Sequence, residues 1–166
     1  MKKIAFFALI IFLFTTCIKE GFAQEVLKTS MLEEVNKIRR SGCKCGEEIM
    51  PRVPELSWNV QLEKAAGRHA KDMSGNNLAG HTGSDGSSPD ERITDAGYRW
   101  SMCGENVAYG FNTVKEVVEG WIASPGHCRN MMDAGFRELG AAKAGTCWVQ
   151  DFGTSQQKSK KYRLYR

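Results

Sequence analysis

The chain has 166 residues and a formal net charge of +4. The last nine residues, KSKKYRLYR, carry five of the basic groups, and residues 24–157 between the two ends come to about −3. The excess charge therefore belongs to a tail, which reads as a solvated terminus, and the body is not that of a nucleic-acid-binding protein.

Lys2 and Lys3 precede eleven apolar residues, Ile4 to Phe14. That run is too short to span a bilayer as a helix and has the flanks of a secretory signal. Small residues at Gly21 and Ala23 place cleavage after Ala23. The alternative is lipidation at Cys17 in LFTTC, which gives an anchored rather than a soluble exported protein. The expected organisation is a signal peptide over 1–23, one domain over 24–157 and a tail over 158–166. Neither an internal repeat nor an internal linker interrupts the middle unit, and its length suits a single core with no membrane helix.

A first helix is expected from Ser30, where SMLE reads as a capping box with Glu33 reaching back. Met31, Leu32, Val35 and Ile38 form its apolar face, and Gly42 ends it. PRVPELSW is extended, because its two prolines exclude helix. A second helix over about 60–74 carries Leu62, Ala65, Ala66, His69, Ala70 and Met73 on one face, with Gly75 as its stop. GHTGSDGSS is a loop, and Ser88, Pro89, Glu91 and Gly97 frame a short third helix. CGENVAYG links it to a fourth, opened by the capping box TVKE at Thr113, with Val114, Val117, Val118, Trp121 and Ile122 as its buried stripe. Ser124 caps a further turn with Pro125 in its first position. RELGAAKAG and TCWVQDFGT read as an antiparallel hairpin around a glycine turn. Helices first and strands mainly last give an α+β fold, with helices packed on a small antiparallel sheet.

Beyond residue 23 lie Cys43, Cys45, Cys103, Cys128 and Cys147. In an exported chain such residues pair; two bridges leave one thiol over, and spacing alone does not choose the pairing. Cys43 and Cys45 are too close to bridge each other. CKC resembles half of a zinc site, but no second pair follows at zinc-finger spacing.

Of the three histidines, His69 sits on an apolar helical stripe and reads as a packed, hydrogen-bonded core residue. His81 in AGHTG and His127 in PGHCR lie in glycine-flanked loops, where sites are usually carried. Glu105 in CGENVA leads into an apolar run, so its carboxylate must stay solvated or find a partner. Two imidazoles and one carboxylate are a sufficient zinc set with an open position, and equally a metal-free acid–base cluster. SDGSSPDE lacks the calcium-loop pattern; Ser84 and Asp85 are placed at the mouth of a cleft. Trp121 and Trp148 sit on core patterns, whereas Trp100 is the more exposed aromatic.

GRHAKDM, HTGSDG, GENVAYG, GWIASPGHCRNMM and CWVQDFG occur in this order. Together they resemble the CAP superfamily, the SCP-like domain of cysteine-rich secretory proteins, antigen 5 and pathogenesis-related-1 proteins, in its short bacterial branch. The resemblance covers residues 30–154 and implies an α-β-α sandwich with a central cleft of two His and two Glu. By motif, His81, Glu105 and His127 match three of these groups. The second Glu stands three residues after the motif tryptophan, and here that position, counted from Trp121, is Ser124. Any mechanism that needs both carboxylates is thereby in doubt, and Ser124 reads as a helix cap. Asn106 and Asn130 are expected to hydrogen-bond backbone or groups supporting the cleft. Cys128 is expected to staple the turn after Ser124 to the CKC segment, through Cys45 in preference to Cys43, with Cys103 and Cys147 as candidates for a second bridge.

The resemblance implies an exported module rather than a reaction. The leading expectation is a monomeric ligand-binding domain, secreted or periplasmic, whose His81, Glu105 and His127 can hold a divalent metal such as zinc. Its ligand would be a lipid or a cell-envelope component. The alternatives are a metal-assisted hydrolase of peptide or cell-wall material with Glu105 as base, and a structural or interaction domain whose His/Glu cluster only braces the fold.

Overall fold

The structure, a computed structural model, describes residues 2–156, with side chains described from residue 21. The basic tail and the side chain of Cys17 lie outside the described residues.

Helix α1 runs over Lys2–Ser41. Ser30 thus lies inside a helix, and the capping box expected there is not formed. No helix breaker separates Gly21 from Ser30, so the backbone that a cap would satisfy is already helical; Thr29 Oγ1 donates to the Glu25 carbonyl one turn back. Among the described residues no helix is long and apolar enough to cross a membrane.

Strands β1 (Cys43–Cys45) and β2 (Glu48–Met50) make a small hairpin whose Gly46, at φ +64°, lies against the Pro125 ring. The extended stretch after it is tied to α1 by Asn36, which donates to the Leu56 carbonyl and accepts from the Leu56 amide at 2.9 and 2.8 Å. It ends in β3 (Ser57–Trp58). Helix α2 (Val60–Asn76) is capped by the Asn59 side chain. It continues through Gly75 and stops at Asn77, which takes the left-handed conformation at φ +52°; asparagine, not the glycine, supplies the terminus. Helix α3 (Pro89–Asp95) starts after Ser88 as expected, with a capping box between Ser88 and Glu91.

CGENVAYG is not a link but the greater part of strand β4 (Trp100–Tyr109). Its inward polar residues, Glu105 and Asn106, hide the apolar alternation that marks a strand. Helix α4 (Val114–Ala123) begins at the Thr113 capping box, and α5 (Pro125–Met132) follows at once. Strands β5 (Glu138–Ala144) and β6 (Cys147–Ser155) form the hairpin around Gly145.

The main sheet has the order β3-β5-β6-β4. It is antiparallel except for the two-residue pairing of β3 with β5, which is parallel. Alternation along the strands sorts two cores. Leu139, Ala141, Trp148 and Phe152 meet Met31, Val35, Val117, Trp121 and Met131 from α1, α4 and α5. Ala142 and Val149 meet Ala66, Ala70 and Met73 of α2. The result is a helical layer on each face, an α-β-α sandwich, with β6 buried on both sides in the middle. Trp121 and Trp148 are core residues, as their patterns imply.

Close approach of α2 to β5 requires Gly140, because a Cβ there would run into the backbone of Leu62 and Glu63. Gly140→Ala should therefore cost about 1–3 kcal/mol by overpacking. Gly75→Ala, in an open stretch of α2, should gain about 0.5–1 kcal/mol from helix propensity. Urea unfolding of the two variants checks this contrast; equal effects would show that the helix–sheet contact yields freely.

Candidate functional site

Strand β4 is an edge of the main sheet, with β6 as its neighbour on one side. Helices α3 and α5 reach it from opposite faces of the sheet. Glu105 pairs in register with Asp151 and points toward α2 and α3, whereas Asn106 points to the layer of α4 and α5.

Glu105 is buried with both carboxylate oxygens engaged. Oε2 accepts from Arg92 Nη2 of α3 at 2.8 Å, and Oε1 accepts from His81 Nδ1 at 2.8 Å. Arg92 is also buried; it donates to the carbonyls of His81 and Ser87 at 2.9 and 2.7 Å, closing the loop between α2 and α3. His69 bonds the Gly80 carbonyl at 2.9 Å from the buried face of α2, so its expected core role also steadies the residue before His81. The outer part of the same loop is held by Asp72 on Ser84 and by Arg68 on Asp85. Hydrogen bonds from Ser87, and then the Arg68 partner, hold the Asp85 carboxyl well below the usual carboxylate range.

On the other layer, His127 lies in the first turn of α5. Its carbonyl accepts from Asn106 Nδ2 at 3.1 Å. Asn130 donates to the Glu105 carbonyl and to Asn106 Oδ1 at 3.1 and 3.0 Å. The two asparagines thus fix α5 on β4 through backbone and supporting contacts. Ser124 occupies the N-cap position, but its side chain makes no cap hydrogen bond. The expected cap role is carried by its carbonyl, which accepts from Cys128 N at 2.9 Å. Ser124 also borders a cavity of about 260 Å3 shared with His127, Val107, Tyr109, Phe111 and Trp121.

The imidazoles are driven in opposite directions. The hydrogen bond to Glu105 raises the pKa of half-exposed His81, against the opposing effect of burial. Burial, and then the nearby His81, lowers that of His127. The expected set of three direct ligands is not gathered as such: Glu105 is occupied by Arg92 and His81, and it stands behind His81 rather than beside it. With Nδ1–H given to Glu105, the lone pair of His81 lies on Nε2, the arrangement in which a carboxylate orients a metal-binding imidazole.

Two residues of the cluster escape a reading by motif. Arg92 supplies the cation for Glu105, and Asp151 lies fully buried against it. Arg92, among the charges of PDERITD, carried no local signal, and Asp151 carried only a weak one as an acidic group in the apolar run CWVQDFG. Burial raises the Asp151 pKa well above the usual carboxylate range, the Glu105 charge adds to this, and Arg92 opposes it. One of its oxygens, Oδ1, has no hydrogen-bond partner.

A disulfide joins Cys45 to Cys128, with Cα atoms 5.5 Å apart. Cys103 and Cys147 are not bonded to each other. In the β4–β6 ladder Cys103 faces Gly153 while Cys147 faces Tyr109, a separation of about 20 Å along the strand at ~3.3 Å per residue. That register forbids the second bridge considered from sequence.

The profile of CAP, the cysteine-rich secretory protein family, matches residues 32–152. The chain is 32% identical over 99 residues, 58% of its length, to an uncharacterized protein, YkwD, of Bacillus subtilis, of which it covers 38%. An extracellular protein of Bacillus anthracis containing an SCP domain superposes with a TM-score of 0.71 at 23% identity, over 80% of this chain and 41% of that one. NaASP2, crystallised with Zn2+, superposes with a TM-score of 0.51 at 17% identity, over 76% of this chain and 78% of that one. The chain thus spans less than half the length of these two Bacillus relatives.

A carboxyl whose pKa the fold raises binds its proton more tightly folded than unfolded. Its contribution is present at low pH and is lost as pH rises from the unfolded value through the raised folded one. Asp151→Asn removes that dependence. The stability of D151N relative to the natural chain should climb by up to about 1.4 kcal/mol per pH unit across that window. Urea unfolding at a series of pH values checks it, and parallel profiles would reject a raised Asp151 pKa.

Proposed function

This chain belongs to the CAP, cysteine-rich secretory protein, family, and from that premise we propose that it is an exported ligand-binding domain whose cleft holds a divalent metal through His81 and His127. The observation that carries the reading is the pairing of His81 Nδ1 with Glu105, which leaves Nε2 uncommitted on a half-exposed side chain of a braced loop. His127 supplies the second imidazole, held neutral near pH 7 by its lowered pKa. Neutral imidazole is the form that ligates. Bound there, zinc would offer a Lewis-acid centre with open positions to an oxygen of the ligand.

The cavity beside His127 is walled by Val107, Tyr109, Phe111 and Trp121. Such a wall suits the apolar part of an amphipathic molecule, with its polar head turned to the imidazoles. A lipid or cell-envelope component has this chemistry. Export is supported by the basic and apolar N-terminal pattern and by the Cys45–Cys128 disulfide.

The hydrolase reading is the weaker one. Glu105 has both oxygens committed, and Ser124 stands where the family pattern has its second carboxylate, so neither carboxylate position offers a free base. The bracing reading accounts for Arg92, Glu105 and Asp151 but not for the uncommitted Nε2 of His81.

Calorimetric titration with Zn2+ under oxidising conditions tests the proposal. One-site binding should appear in the natural chain and disappear in both His81→Ala and His127→Ala. Absence of binding, or affinity unchanged in both variants, would overturn it.

A further inference from the structure

Away from the cleft, a third sulfur sits against the disulfide. Cys43 Sγ lies 3.8 Å from Cys45 Sγ and 3.7 Å from Cys128 Sγ. The three come from two elements, the β1 strand and the middle of α5, and their ligand atoms all lie within 4.8 Å of one another. Cys45 and Cys128 are buried, and Cys43 is reached by solvent. Met50 and Met132 pack in the same cluster with Ile38, Val53 and Ile122.

Cys43 is nearly equidistant from both bridged sulfurs. Thiol–disulfide exchange proceeds by attack on one sulfur with the other leaving, which calls for a nucleophile in line with the S–S bond, whereas Cys43 stands to its side. The spacing matches a different chemistry. Tetrahedral zinc with Zn–S near 2.3 Å sets its sulfurs about 3.8 Å apart. Two of the three sulfur separations already have that value, and the third is the covalent bond itself. Parting Cys45 from Cys128 by rotation about their Cα–Cβ bonds completes the triangle. Thioethers and aliphatic side chains around it make a soft, low-dielectric surrounding that favours thiophilic cations over Mg2+ or Ca2+.

We propose that Cys43, Cys45 and Cys128 form a thiolate site for a zinc-like thiophilic cation, closed while Cys45 and Cys128 are bridged and opened when the bridge is reduced. A dithiol reductant supplies two electrons and two protons and is itself oxidised to a disulfide. The Cys45–Cys128 bond breaks, giving two thiols. The cation then displaces the protons of the three thiols to solvent and takes three sulfur bonds. The site is distinct from the cleft and uses neither histidine.

The test is Cd2+ titration of the full chain, oxidised or reduced with a phosphine, followed by the sulfur-to-cadmium charge-transfer absorption, with Zn2+ as competitor and circular dichroism to monitor folding. The reduced chain should show one saturable site that Zn2+ displaces, and the oxidised chain none. C43S should weaken the reduced site by at least about tenfold by removing one of three soft ligands. A C17S/C103S/C147S variant, which removes the other thiols, and H81A should both keep it. Loss of fold on reduction, equal binding by the oxidised chain, full affinity in C43S, or loss in the C17S/C103S/C147S variant would each overturn the proposal. Because H81A and C43S separate the two sites, failure here leaves the cleft reading untouched.

Discussion

The buried ion pair between Arg92 and Glu105 is the contact on which the rest of the cleft depends. Each side chain is almost wholly removed from water, 2% and 1% exposed, and they meet at 2.8 Å. Desolvating two charges costs several kcal/mol per ion, and only close geometry with further hydrogen bonds offsets it. Those further bonds are the site. The two terminal nitrogens of Arg92 also donate to the loop carbonyls of His81 and Ser87, while its Nε has no partner, and the other oxygen of Glu105 accepts from the His81 ring. One pair therefore fixes α3 on β4, closes the loop that carries His81 and turns that imidazole outward.

The opposite wall is fixed by different chemistry. Arg39 of α1 is buried and donates to the carbonyls of Met131 and Asp133 at the end of α5 and to that of Pro54. Burial lowers its pKa to about 10, which still leaves it charged at neutral pH. The disulfide ties Cys128, in the middle of α5, to Cys45, and at the other end of the helix Pro125 rests on the Gly46 turn. His127 is the residue before the bridged cysteine, on a different side of the helix. The short α5 is thus clamped at both ends while its first turn faces the cavity. A charge network holds one imidazole and a covalent staple with a carbonyl clamp holds the other, so the two walls are rigid for independent reasons.

What was legible in the sequence was local. Thr113 and Ser88 announce their helices through contacts three residues long, and Gly145 announces the hairpin through its turn. His81, Glu105 and His127 stood out because each is a polar group among glycines. The family resemblance then named the sandwich that those elements build. The failures share a cause, which is that the deciding partner is remote in sequence. Ser30 has the residues of a cap, but its neighbours upstream were already helical. Strand β4 is recognisable only once β6 lies beside it. Arg92 and Asp151 look like ordinary charges until the register sets Asp151 opposite Glu105. The third cysteine near the disulfide, Cys43, is 85 residues from Cys128, so the three sulfurs are brought together only by the fold.

The opposed shifts of the two imidazoles follow from this asymmetry of support. His81 has a carboxylate partner, so the fold favours its charged form, and Arg92 behind that carboxylate limits the effect. His127 has burial and a cationic neighbour, so the fold favours its neutral form. As pH falls, His81 takes its proton first, and that charge makes protonation of His127 harder still. Protons therefore hold on to His81 up to a higher pH than to His127. Glu105 orients the His81 ring and at the same time strengthens its hold on a proton. The same hydrogen bond thus sets both the geometry of the cleft and its pH dependence, and neither can be changed without the other.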